Sequence, residues 1–251
     1  MATAPTIDAL GQFGLITSIG PLGALVNFTN ANVMMVVSAA LIVALLGFGM
    51  RPRALIPGRL QAAAEMIYEF TANFCEDMIG EGWKAFFPFV FTLFLFILFG
   101  NFVGLFPLFF AFTSHIAVTA ALALIVFFLS IIVGLVKHGF RFFTYFVPPG
   151  APKLIAPFLV PIEILTFFSR PVSLSIRLFA NIVAGHVLWE VFAGFMLILA
   201  FYLGTVGIIA AVLPLAINVA LVGFEILVAA LQAYVFAVLT CLYLHDAVHL
   251  H

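Results

Sequence analysis

The chain has 251 residues, of which 66% are hydrophobic and 8% charged, with a formal net charge of -1 at pH 7 and a mean hydropathy of +1.32. Soluble domains are roughly half apolar and roughly a quarter charged, so a soluble enzyme core is excluded: its surface would expose more apolar area than a monomer tolerates. A transmembrane barrel is excluded as well, because its strands alternate polar and apolar residues, and the near-zero charge supplies no field to recruit nucleic acid.

A helix crossing a ~30 Å hydrocarbon core needs about 20 apolar residues. No basic region precedes the first apolar stretch, so a cleaved secretion signal is not expected. The first span is predicted over 33–50, ended by Pro52, Pro57 and the basic cluster Arg51, Arg53 and Arg59. From 59 to 80, Met66, Ile67, Phe70, Phe74 and Met78 recur at helical spacing with Glu65, Glu69, Glu76 and Asp77 between them. That pattern predicts an amphipathic helix lying in the membrane interface. Further spans are predicted over 86–107 and 116–136, the second closed by Lys137, His138 and Arg141. Positive charge collects on the cytoplasmic side. With Arg51, Arg53, Arg59, Lys84, Lys137, Arg141 and Lys153 inside, the N-terminus and the His115 loop lie outside and the C-terminus is cytoplasmic.

The remaining apolar stretches, 154–203 and 205–245, are too long for perpendicular crossings: an unbroken helix of about 40 residues reaches ~60 Å. They predict a hairpin of two long, strongly inclined helices, with Pro161, Pro171 and Pro214 as candidate kinks. The expected fold is an all-α membrane protein. It has about five membrane-inserted helices and one interfacial amphipathic helix, in a single membrane domain over 1–251. Cys75 and Cys241 fall in unrelated segments without metal-ligand spacing and read as ordinary helix residues.

The hairpin carries the informative polar residues. Glu163, Arg170, Arg177, Asn181, His186 and Glu190 fall in its first arm, and Asn218, Glu225 and Gln232 in its second. Ionisable groups inside spans cost ~2.5 to 3.5 kcal/mol each on insertion scales and mark ion or substrate pathways. At ~100° per residue, Ser173, Arg177 and Asn181 share one face, with Glu163 within about 40° of Arg177, while His186 and Glu190 point nearly the opposite way. Asn218, Glu225 and Gln232 recur every seven residues and form one stripe that can face the first arm. Two such stripes invite water, and titratable groups lining water can pass protons.

The run PVSLSIRLFANIVAGH, Pro171 to His186, followed by FEILVAALQAYVFAVLTCLYL, Phe224 to Leu244, closely resembles the a-subunit family of F-type ATP synthases. The resemblance covers most of the chain and is closest to the mitochondrial and alphaproteobacterial branch. It implies that Arg177, in SLSIRLFAN, is the essential arginine, and that Glu163, Asn181 and Gln232 line a proton path. His186 and Glu225 stand where some bacterial members carry the same two residue types exchanged, so they read as a facing pair. The resemblance further implies two offset aqueous half-channels joined through a rotating c-ring. The outer one is lined by His186, Glu225, Glu190 and Asn218, and the inner one opens near Glu163. Partners implied are the c-ring, peripheral-stalk b-type subunits, the catalytic head and the lipid bilayer. The membrane is a bacterial inner membrane or its organellar equivalent. No cofactor and no catalytic chemistry of its own are expected, since the chain has no glycine-rich phosphate loop.

The competing reading is a secondary ion transporter or channel using the same charges, which would favour internal repeats that this sequence does not show. A haem protein would need histidine pairs within spans, and a retinal protein a mid-span lysine. His186, Glu190 and Glu225 have ligand types suited to zinc, but a protonatable pair is the preferred reading. His245 and His249, four apart, are expected to cap the last helix or collect protons.

Overall fold

Long runs of Leu, Val, Ile, Phe and Ala with few breakers leave the backbone one way to satisfy its hydrogen bonds in hydrocarbon, the helix. The structure, a computed structural model, describes residues 29–49, 58–106, 109–140, 142 and 156–249, and among these it is all-α. Its helices are α1 (Asn30–Gly49), α2 (Arg59–Ile79), α3 (Trp83–Gly104), α4 (Ile116–His138), α5 (Ala156–Ala210) and α6 (Val212–Val248), with a 3-10 turn at Phe112–Ser114. Five of them, all but α2, are long and apolar enough to cross a membrane. The N-terminus, Arg51, Pro52, Arg53, Pro57, Arg141, Lys153 and His251, on which part of the orientation argument rests, lie outside the described residues.

The last two helices are longer than a crossing needs. The 37 residues of α6 reach about 55 Å at ~1.5 Å each, so the helix can stay in a ~30 Å core only by inclining. Within α5, non-helical angles occur at Gly204 (φ 56°, ψ -128°), not at Pro161 or Pro171. Those angles suit a residue without a Cβ. Three residues on, a Cβ at Gly207 would collide with the backbone carbonyl of Leu199. Eight residues of straight helix would separate these positions by about 12 Å, so the chain doubles back here. The reversal therefore falls at Gly204, and the i→i−4 bonds from Ala211 to Gly207 and from Leu215 to Ala211 carry the second arm on into α6 from 205. A reversal needs a backbone that only glycine takes readily.

The chain divides into two compact units, 1–40 with 98–115 and 178–232, and 41–97 with 116–177 and 233–251. In the first, small residues set the approach of α3 to the loop after it: added Cβ atoms at Gly100 and Gly104 would run into the Phe112 ring and Ala111. Asn101, almost fully buried, donates from Nδ2 to the Ala229 carbonyl on α6 at 3.2 Å. His115 stacks on Phe110 with centroids 5.2 Å apart, and burial holds its imidazole below the usual histidine range.

In the second unit, α2 buries Gln61, Ala64, Thr71, Phe74, Cys75 and Ile79, while Met66 is 69% exposed and Phe70 and Met78 are exposed too. Of the apolar stripe, Met66, Phe70 and Met78 are thus open, Ile67 is half-buried and Phe74 is packed. In a membrane environment apolar side chains are at home facing lipid, and small residues let helices approach. Glu65, Glu69, Glu76 and Asp77 are exposed. Phe74 meets Tyr234 edge-on at 5.7 Å, and Phe127 packs on Phe167 at 5.0 Å beside Phe142. Polar ties hold the end of α6: Arg170 pairs with Asp246 at 3.0 Å, and His138 Nε2 lies 3.0 Å from the Val248 carbonyl. His245 Nδ1 lies 3.2 Å from the Ile79 carbonyl and stacks on His249. The partner of His245 is thus the end of α2, not the carbonyls of its own helix. Cys75 and Cys241, 166 positions apart, bring their Sγ atoms to 3.7 Å, so these segments are not unrelated.

Candidate functional site

The first unit concentrates polar groups in an apolar setting. His186 and Glu225 are 7% and 8% exposed, and His186 Nε2 lies 3.8 Å from Glu225 Oε1. That exceeds hydrogen-bond length, so the two face each other without a direct hydrogen bond. Gly185 makes the approach possible, since a Cβ there would sit 2.6 Å from Glu225 Oε1. One turn before it, Asn181 Nδ2 donates to Gln232 Oε1 at 3.0 Å, and Gln232 is 1% exposed. Asn218, Glu225 and Gln232, spaced by seven along α6, are all buried, which matches the single stripe read from their spacing. Glu190, one turn beyond His186, is half-buried.

Asn101 adds a residue from α3 to the same unit, packed on α6 one turn after Glu225 through the Ala229 carbonyl. Sequence reading missed it: a lone asparagine near the end of an apolar span makes no stripe, and its partner is 128 positions away. The only local signal is its place after Gly100 in a segment otherwise apolar. Asn101 Oδ1, Asn218 Oδ1, Glu225 Oε1 and Gln232 Nε2 are buried without a hydrogen-bond partner among the described residues. Buried polar atoms are normally satisfied. These four atoms fall in this one unit.

Arg177 and Glu163 belong to the other unit. Glu163 is half-buried and Arg177 exposed, and Arg177 makes no ion pair or hydrogen bond among the described residues. Along α5 the exposed positions next to it include Ser173, Ala180, Asn181 and Ala184, so its flank is built of short side chains. A guanidinium stays charged in proteins. On the surface of an apolar helix such a charge calls for an anionic or aqueous partner. Arg170, by contrast, is already paired with Asp246 and lies over the Tyr243 ring, 5.2 Å from its centroid. Among the described residues no group of three His, Cys, Asp or Glu side chains stands close enough to hold a metal ion.

Comparison with known proteins agrees with the pattern in the hairpin. The family described as ATP synthase A chain matches residues 32–245. Over 251 residues the chain is 61% identical to ATP synthase subunit a of Granulibacter bethesdensis, covering 100% of both chains. It is 60% identical to ATP synthase subunit a of Acidiphilium cryptum, again over 100% of both. The protein of the same name from Rhizobium etli is 52% identical, across 96% of this chain and 97% of its own. With the match spanning all five membrane-crossing helices and the whole hairpin, the chain belongs to the ATP synthase A chain family.

Proposed function

We propose that the chain is the stator proton-channel subunit of an F-type ATP synthase, passing protons to and from the carboxyl groups of a rotating c-ring through two offset aqueous half-channels. The observation that carries this reading is Arg177, a permanent cation exposed on an apolar helix and without an ion-pair or hydrogen-bond partner among the described residues. A ring carboxylate facing it supplies the missing anion. The cation repels protons, lets an ionised carboxylate pass and keeps the two half-channels from joining. Lysine would be a poor substitute, because burial readily neutralises it. The attraction must stay moderate, since a dry ion pair would trap the rotor.

His186, Glu225, Glu190 and Asn218 line the outer half-channel, where the imidazole and carboxylate relay protons. The inner half-channel opens near Glu163. The membrane potential supplies about 2.3 kcal/mol per charge per 100 mV, and the ring's turning delivers that work to a catalytic head. This chain performs no bond chemistry and needs no cofactor. Its partners are the c-ring, b-type stalk subunits and lipid, in a bacterial inner membrane or its organellar equivalent, with the N-terminus outside and the C-terminus cytoplasmic. No nucleic acid takes part.

The test is Arg177→Ala in the assembled complex reconstituted in vesicles. ATP-driven proton pumping falls to background while the complex still assembles. Normal pumping by that variant rejects the separator role.

A further inference from the structure

The proton pathway leaves one reactive pair unused. Cys75 on α2 and Cys241 on α6 are both free, both 0% exposed, and have Sγ atoms 3.7 Å apart. We infer that Cys75 and Cys241 are a dithiol that closes into a disulfide on two-electron oxidation, a modification site that fastens the last turns of α6 to the interfacial helix α2. The S–S bond is 2.03–2.05 Å long, so the sulfurs must close by about 1.7 Å from their contact of 3.7 Å.

A second observation supports the pairing. The helix ends that carry the two thiols are already held together close by. His245, one turn after Cys241, reaches the carbonyl of Ile79, one turn after Cys75, and the pair Arg170–Asp246 anchors the same stretch of α6. Reactants held in place react as if at very high concentration. The Cys241 thiol hydrogen-bonded beside it favours the Cys75 thiolate and holds Cys75 below the usual thiol range, although burial opposes this. Cys75 is therefore the attacking sulfur.

Full burial excludes bulky oxidants, so the co-reactant is a small neutral one, hydrogen peroxide. The Cys75 sulfur attacks one peroxide oxygen, the O–O bond breaks, and the leaving hydroxide takes up the Cys75 proton as water, giving a sulfenic acid. The Cys241 sulfur then attacks that sulfur. The S–S bond forms, the S–O bond breaks, and the hydroxide leaves as water with the Cys241 proton. Two thiols lose two electrons and one peroxide becomes two waters.

The inference is independent of the channel reading and is tested on the assembled, detergent-purified complex. The complex is treated with hydrogen peroxide, quenched with an alkylating agent under denaturing conditions, digested and analysed by mass spectrometry. Expected is a linked peptide pair, Cys75 with Cys241, two hydrogens lighter than the separate peptides, with alkylation lost equally at both sites and recovered after dithiothreitol. Cys75→Ser or Cys241→Ser removes the link and leaves the other thiol open to alkylation. Full alkylation of both cysteines after peroxide overturns the inference, and so does sulfinic acid at either one without a link. The wild-type measurement decides the matter even if a variant fails to assemble.

Discussion

At the scale of single residues, the distance between His186 and Glu225 matters more than which position carries which group. The proposed relay asks only that an imidazole face a carboxylate, here 3.8 Å apart, in either arrangement. His186→Ala and Glu225→Ala are each expected to lower proton pumping roughly a hundredfold, the lower end of the range for losing a positioned acid or base. The double exchange His186→Glu with Glu225→His should recover much of it, with an altered pH profile. A fluorescence assay of acidification in vesicles measures all three, and an exchange no better than the single variants refutes a facing pair. Much of this site was legible in the sequence, because buried charges in an apolar helix stand out and their spacing assigns them to faces. Asn101 was not legible, since its role depends on a backbone carbonyl far along the chain. Neither was the contribution of Gly185, which lies in leaving room for the Glu225 carboxylate.

At the scale of elements, helix positions followed from hydropathy, while the faces they bury did not. On α2 the larger apolar residues Met66 and Phe70 are exposed, and Ala64, Thr71 and Cys75 are packed. An apolar stripe names the core only when the surroundings are water, and here lipid is an equally good neighbour. The hairpin gives a sharper case. Prolines mark candidate bends in any apolar sequence, yet the reversal rests on Gly204 and on the contact of Gly207 with the Leu199 carbonyl. Replacing Gly207 with Ala forces a methyl group against that backbone oxygen, an overpacking cost of about 1–3 kcal/mol. The expected outcome is a lower thermal midpoint and less assembled complex at equal expression. Gly223→Ala, where an added Cβ meets nothing within 4 Å, is the control. Equal stability of the two variants would show that the turn tolerates a side chain.

At the scale of the whole molecule, stability at the end of α6 depends on a few polar ties among many apolar contacts. Arg170 and Asp246 are each about one-fifth exposed, so losing one partner costs less than the 3–5 kcal/mol typical of a fully buried pair. About 1–2 kcal/mol is expected after discounting for solvent screening. Arg170→Leu should lower the thermal midpoint of the purified complex by a few degrees, and Arg170→Leu with Asp246→Leu should be milder than either alone. Additive losses in that double-mutant cycle would show that the pair does not couple.

Among the membrane-crossing helices α5 has the least covered apolar window, only 11% of it buried, and elsewhere on the same helix Arg177 is exposed too. A newly inserted copy therefore presents a bare guanidinium to lipid tails, at ~2.5 to 3.5 kcal/mol on insertion scales. An unassembled copy is therefore expected to be cleared faster than an assembled one. On the proposed reading, biogenesis is safest when the ring that would face Arg177 is in place before this subunit arrives.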